Sequence, residues 1–175
     1  MWKAIKSDYE VKYKNRLSLF KFIYTYMYDY NFRVVVRYRV QKKCSSKNKI
    51  FRTLALIIRN RSIRKYGVEI GINTSIGNGF LIAHLNGIVI GDGTMIGENF
   101  TIFQQVTLGQ KNNKYPILKD NVTIYPGAKL IGGISIESHS IIGANAIVVQ
   151  DVGMNEIYVG PSAKLITSYN ERGTK

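Results

Sequence analysis

Between residues 70 and 148 an aliphatic side chain returns at every sixth position. Ile70, Ile76, Ile82 and Ile88 form one run, and after a two-residue slip Ile90, Ile96, Ile102 and Leu108 form a second. Leu118, Ile124, Leu130, Ile136, Ile142 and Val148 form a third. Small residues follow many of them (Gly71, Gly77, Gly91, Gly97, Gly143). Three places further on stand small or β-branched residues such as Thr74, Thr94, Val122, Ala128 and Ala146. A period of six is neither the 3.6 of a helix nor the bare alternation of a half-buried strand. It predicts a solenoid in which each unit is a short strand and a turn, with the aliphatic side chain pointing into a narrow interior. Three units close a triangular coil, so the fourteen units predict between four and five coils.

The register breaks twice. Eight residues separate Ile82 from Ile90, with Ala83-His84-Leu85-Asn86-Gly87 as the insertion, and ten separate Leu108 from Leu118, around Gly109-Gln110-Lys111-Asn112-Asn113-Lys114-Tyr115-Pro116-Ile117. A stacked coil absorbs extra residues only at its corners, as protruding loops, and loops on a rigid scaffold are where function concentrates. Both interruptions are therefore candidate walls of a site.

Residues 1–66 read differently. They lack proline and glycine and are rich in Tyr, Phe, Lys and Arg. The stretch KIFRTLALIIRNRSIRKY has the apolar-basic mixture of an amphipathic helix, and two to four helices are expected, although FRVVVRYRV also reads as a strand. Gly67 is a natural helix stop. Three parts are thus expected: a basic helical segment over 1–66, a β-solenoid over 67–166 and a polar tail over 167–175. The class is mainly β.

Charge sharpens this division. The chain carries +14 overall, but residues 1–66 hold 18 Lys and Arg against Asp8, Glu10 and Asp29, a net +15, while residues 67–175 balance 7 basic against 8 acidic residues. A basic amphipathic segment is attracted to anionic lipid headgroups; packing in an oligomer is the alternative. No nucleic-acid recognition motif accompanies the basic residues. The polar start MWKAIKSDYEVKYKNR is not that of a signal peptide, and no run approaches the roughly 20 apolar residues of a spanning helix. A cytoplasmic location is expected, with contact at the inner face of the membrane left open. Cys44 is the single cysteine, which excludes an internal disulfide.

The repeats and their two interruptions, through GVEIGINTSIGNGFLIAHLNGIVIGDGTMIGENFTIFQQVTLGQ, VTIYPGAKLIGGISI and IIGANAIVVQDV to VGPSAKLI, resemble the left-handed parallel β-helix acyltransferases. The serine acetyltransferase group and its polysaccharide O-acetyltransferase relatives are the nearest pattern, and NFRVVVRYRV resembles the last helical stretch before the repeats of that group. The resemblance implies that His84, on the first protruding corner, is the general base, and that Glu69, fifteen positions earlier, orients it. The chemistry suits the pair: a neutral imidazole accepts a hydroxyl proton near neutral pH, and a carboxylate on its other nitrogen fixes the tautomer. The hydroxyl then attacks the thioester of acetyl-CoA directly, without a permanently bound cofactor. The resemblance further implies a donor groove between neighbouring solenoids, hence a homotrimer, with Gly109, Pro126, Gly127, Ala144, Pro161 and Lys164 at matching positions. His139 falls within a regular repeat and reads as a residue of the solenoid face.

Two departures bear on the acceptor. Serine acetyltransferases carry an aspartate before the catalytic histidine, where this chain has Ala83, and an Arg-His pair in the second loop, where it has Lys114-Tyr115. Lysine lacks the planar, bidentate fork of arginine. Both changes weaken recognition of a small zwitterion, and Tyr115 is free to stack on a sugar ring. With Asn86 in the first loop, Lys114 and Tyr115 are the expected acceptor contacts. The expectation is an O-acetyltransferase acting on a sugar hydroxyl of a cell-surface glycan or its lipid-linked precursor, with serine O-acetylation in cysteine biosynthesis as the alternative. Zinc chemistry of the carbonic anhydrase kind needs three histidines, against two here, 55 residues apart. A non-catalytic solenoid would leave the placement of His84 without a reason.

Overall fold

The computed structural model describes residues 1–45 and 48–161, together with the backbone course of 164–168. Four helices come first: α1 (Trp2–Tyr13), α2 (Leu19–Tyr28), α3 (Tyr30–Ser45) and α4 (Lys49–Tyr66). Gly67 closes α4 at φ 61°, its N–H donating to Ile63 O at 3.0 Å. The left-handed region costs glycine little, which is why the helix stops there. None of the described helices is long and apolar enough to cross a membrane.

Five coils follow. The first is β1 (Val68–Ile70), β2 (Ser75–Ile76) and β3 (Leu81–Ile82); the second is β4 (Ile88–Ile90), β5 (Met95–Ile96) and β6 (Thr101–Ile102). The third is β7 (Thr107–Gly109), β8 (Ile117–Leu118) and β9 (Thr123–Ile124); the fourth is β10 (Lys129–Ile131), β11 (Ser135–Ile136) and β12 (Ile141–Ile142). The fifth has β13 (Ile147–Val148), a bridge from Val152 to Ile136, and β14 (Glu156–Val159). Strands three apart pair in parallel, and β12 pairs with β14 because the fifth coil has only a bridge on its second face, giving three sheets: β1-β4-β7-β10-β13, β2-β5-β8-β11, and β3-β6-β9-β12-β14. A final strand, β15 (Lys164–Ser168), runs antiparallel to β14.

Each six-residue unit turns two side chains inward. All fourteen aliphatics of the repeat are buried, and so are the residues two places before many of them: Val68, Thr74, Phe80, Thr94, Phe100, Val106, Val122, Ala128, Ser140 and Ala146. This resolves the slip at residue 88. Ile88 and Ile90 share β4, opposite Val68 and Ile70, so Ile88 is the second inward position of one strand and no unit of its own. The fifth coil departs from the period: the step from Val148 to the buried Val152 is four residues, and Tyr158 fills the last face.

The corner between the second and third sheets uses positive φ, supplied mostly by asparagine. At the turn between the second and third sheets Gly79, Asn99, Asn121, His139 and Asn155 stand at the same place in successive coils, with φ between 55° and 78°. Asn99 Nδ2 donates to Asn121 Oδ1 at 3.1 Å, and Asn121 Nδ2 lies 3.4 Å from His139 Nε2. His139 belongs to this ladder of corner residues.

The helices close the open end of the solenoid. FRVVVRYRV lies within α3, and its ambiguity has a physical cause: the helix is buried on more than one side. Val34, Val35 and Tyr38 join the core of the solenoid, while Phe32 and Val36 pack with Ile5, Tyr9 and Leu17. A helix covered on several sides has no polar stripe to reveal its 3.6 period. In the stack, Ile90 O accepts from Gly71 N, Thr94 O from Ser75 N, and Ile96 O and Gly97 O from Gly77 N. The equivalent carbonyls of the first coil have no coil above them, and α3 side chains take its place. Gln41 Nε2 donates to Ile70 O (2.9 Å), Tyr38 Oη to Thr74 O (3.3 Å), and Arg39 to Ile76 O and Gly77 O (both 2.7 Å). The other end of Arg39 is bidentate to the buried Asp8 of α1, which also accepts from Phe80 N at 2.8 Å. An exposed sheet edge is a template for aggregation; here every one of these acceptors is occupied.

Candidate active site

His84 projects from the corner between the third and first sheets, in the loop that joins β3 to β4, and is exposed. The loop is anchored on both sides of it. Ala83 N donates to Ile102 O (2.9 Å), Ala83 O accepts from Asn31 Nδ2 of α3 (2.8 Å), and Asn86 O accepts from Gln105 N (2.9 Å). Leu85 packs against the core. The imidazole has Phe103 as its ring neighbour, centroids 5.9 Å apart and tilted by 55°. A protruding loop with a fixed backbone presents a nitrogen base to solvent at a set position, which is what proton abstraction from an incoming hydroxyl requires.

Below His84 the same edge carries a column. Ala83, Phe103 and Tyr125 occupy equivalent positions, each donating its N–H to the coil beneath (Ile102 O, Ile124 O, Ile142 O). Phe103 and Tyr125 stack with centroids 5.0 Å apart and planes within 13°. Pro126, Gly127, Ala144 and Pro161 follow down this edge, so four of the expected donor contacts share the His84 corner. Gly127 also has a structural reason to be glycine: at φ 77°, an added Cβ would stand 2.1 Å from Asn145 Oδ1. Phe103 and Tyr125 were missed in the sequence, although their recurrence directly after an inward isoleucine marked them.

Of the remaining candidates, Asn86 shares the His84 loop and the others lie elsewhere. Glu69 is on β1, in the sheet reached just after the His84 corner, and its carboxylate pairs with Arg59 of α4. Among the described residues no hydrogen bond joins it to His84. Asn86, at φ 88°, sets its Oδ1 over Gly67, where a Cβ would approach to 2.7 Å. Gly109, Lys114 and Tyr115 sit at a different edge, between the first and second sheets. There Lys111 and Lys114 exchange backbone hydrogen bonds of 3.0 and 3.1 Å around Asn112 and Asn113, both at positive φ, so the ten-residue interruption is a tight hairpin. Tyr115 is half-buried, with one face of its ring packed. Its ring lies on the backbone of the second coil, and Cβ atoms at Gly91 and Gly93 would come within 2.6 and 2.4 Å of it. Ser162, Ala163 and the side chain of Lys164 fall outside the described residues, as does most of the tail.

No family model matches the chain. A serine acetyltransferase of Staphylococcus epidermidis is 40% identical over 110 residues, 61% of this chain and 52% of that protein. The chain thus spans about half the length of the curated relatives it matches. The serine acetyltransferase of Neisseria gonorrhoeae superposes with a TM-score of 0.85 at 27% identity, over 95% of this chain and 66% of that one. A serine acetyltransferase in complex with CoA gives 0.80 at 26%, over 93% and 68%. The fold is therefore that of the hexapeptide-repeat β-helix acyltransferases. These similarities overturn the expectation of a sugar acceptor: the relatives are serine acetyltransferases, the alternative rather than the main reading.

Proposed function

We propose that the chain transfers an acetyl group from acetyl-CoA to the hydroxyl of serine, with His84 as general base. The observation that carries the reading is the exposed imidazole on an anchored corner loop, directly above the column of Pro126, Gly127, Ala144 and Pro161. Similarity to serine acetyltransferases, one of them bound to CoA, supports the donor and the acceptor. An imidazole nitrogen takes the hydroxyl proton as the oxygen attacks the thioester carbonyl. The tetrahedral oxyanion collapses, the C–S bond breaks, and the departing thiolate recovers the proton from the imidazolium. One thioester is exchanged for one ester, with no acyl-enzyme. Glu69 fits the role of orienting His84 once it releases Arg59.

Beside the stacked Phe103 and Tyr125, the small residues Gly127 and Ala144 on the His84 edge leave room for the pantetheine arm. Gly109 and Lys114 belong to a different edge of the prism, so a groove uniting the two sets needs a second copy, and a homotrimer is the assembly that supplies it. Ala83, Lys114 and the packed Tyr115 leave the serine ammonium and carboxylate with few charged partners, and a high KM for serine follows.

Thiol release from acetyl-CoA with serine, in wild type and His84→Ala, tests the reading. The variant should lose roughly 10²–10⁴ in kcat with its melting temperature unchanged, since His84 is exposed. Ala83→Asp should lower the KM for serine. No serine-dependent release from the wild type, or full activity in His84→Ala, would sink the proposal.

A further inference from the structure

Ten residues form α2, and Thr25 is the one buried among them. Phe22 and Tyr26 pack inward against the small helical core. Phe20, Ile23, Tyr24, Met27 and Tyr28, at spacing i, i+3, i+4, i+7 and i+8, face outward, Phe20 at 78% and Tyr28 at 69% exposure. The helix carries Lys21 and no acidic residue. An apolar, aromatic face of this kind on the surface of a monomer marks an interaction site.

Charge selects the occupant. A second copy seated here would bring two segments of net +15 together, within a screening length of about 8 Å at physiological salt. The neighbouring surface is a receptor for anions instead. Arg37, Arg61, Arg64 and Lys65 line an open cleft of about 410 Å³, with no carboxylate among the described residues of its wall. Arg37 is held in place by Ser62 Oγ (3.0 Å) and Ile58 O (3.2 Å), above the ring of Tyr66, with Nη1 left for a ligand. Arg33 links cleft and helix: it donates to Tyr26 O at 2.6 Å and to Met27 O at the end of α2, and to Tyr66 Oη at 3.4 Å.

We propose that the helical segment docks on an anionic lipid bilayer, the aromatic face of α2 entering the headgroup–acyl boundary and the cleft of Arg37, Arg61, Arg64 and Lys65 receiving headgroup phosphates. Apolar burial and attraction to anionic headgroups add together in such binding.

Vesicle flotation of the full chain provides the test, with phosphatidylcholine alone and with one third phosphatidylglycerol. Binding should require phosphatidylglycerol and weaken as salt rises. The triple variant Phe20→Ser/Tyr24→Ser/Met27→Ser should bind at least about tenfold less. Arg61→Ser/Arg64→Ser should also lose affinity. Phe20, Tyr24 and Met27 are each more than half exposed, and Arg61 and Arg64 are exposed in the wall of the cleft, so unchanged circular dichroism is expected to certify folding. Equal binding to neutral vesicles, equal binding by the triple variant, or no binding to either vesicle would overturn the proposal. So would an assembly, seen by light scattering, that the triple variant alone breaks apart, because α2 would then be an interface between copies.

Discussion

The solenoid and the helices above it solve the problem of burial in opposite ways. In the solenoid each coil meets only the coil above and the coil below, and one inward row serves every level: Ile70, Ile90, Leu108, Leu130 and Val148 stack on one face, all buried. In the helical segment two small clusters and the top of the solenoid core share the burial, and large apolar side chains stay outside, among them Phe20, Ile50, Leu54 and Ile57. Repetition makes the interior of a solenoid easy to fill but leaves two ends unsatisfied. The helices answer that with polar chemistry. Five side chains of α3 (Asn31, Tyr38, Arg39, Gln41 and Lys42) donate to carbonyls of the first coil. Hydrophobic stacking thus holds the middle of this molecule, while hydrogen bonding finishes its end.

The largest effect should come from breaking that finish. Arg39→Met leaves Asp8, whose side chain is 0% exposed, as a buried charge without its cation, and strips two carbonyls of their donor. Losing one partner of a buried pair costs about 3–5 kcal/mol. Thermal denaturation by circular dichroism should show the helical signal melting well before the β signal; a shift of only a degree or two would mean that the clamp is dispensable. In the middle of the solenoid the expected mechanism changes. Leu130→Ala removes a fully buried side chain and leaves a cavity, at about 2–5 kcal/mol. Because the two sites lie in different regions with no shared partner, their costs should add to within about 0.5 kcal/mol in the double variant.

How much of this was legible in the sequence follows the same division. The solenoid was legible because period six repeats a single physical requirement, and the inward row came out residue by residue. Ile88 was misplaced as a separate unit because a strand presents two inward positions and the period alone does not say which one begins a coil. Between four and five coils were expected and five are present; the shortened step of four within the last one was not legible. The helices were legible as helices only in part, since α3 is covered on several sides. Its capping role was not legible at all: nothing in the order of residues links Arg39 to Asp8 or Gln41 to Ile70 O. In the site, the His84 loop announced itself by interrupting the register. The packing of Tyr115 was not legible, because Gly91 and Gly93 lie one coil above it and more than twenty residues away.

Alkali offers a gentler way to separate the regions. Burial pushes Tyr38 up to about 12, against the pull of the Arg39 guanidinium, and burial followed by the Asp29 carboxylate raises Tyr13 still further. Both side chains belong to the helical segment. In the unfolded chain tyrosine ionises near 10, so the native contribution is whole below that pH and is lost as pH rises toward the folded value. For Tyr38 the loss at pH 11 is about 1.4 kcal/mol. Trp2, packed edge-on to Phe22 at 5.3 Å, reports the helices by fluorescence. Its signal should change between pH 10 and 12 while the β signal in circular dichroism persists. Simultaneous loss of both would show the two regions to be one cooperative unit.

The smallest change in stability should be the most telling for function. Asn31 donates to Ala83 O at 2.8 Å, one residue before His84, so a helix side chain sets the carbonyl from which the candidate base projects. Asn31→Ala removes one partly buried hydrogen bond, worth about 0.5–1.5 kcal/mol. Lys42→Ala is the matched control, since Lys42 donates to Asn73 O at 3.2 Å on another corner of the same coil. If end-capping were all that α3 contributes, the two variants would behave alike in thiol release as well as in melting. If α3 also positions the His84 loop, Asn31→Ala alone should lose kcat, up to about tenfold, with the KM for acetyl-CoA unchanged. A loop one bond looser still binds the donor down the column of Pro126, Gly127 and Ala144, but holds its imidazole at the attacking hydroxyl for less of the time.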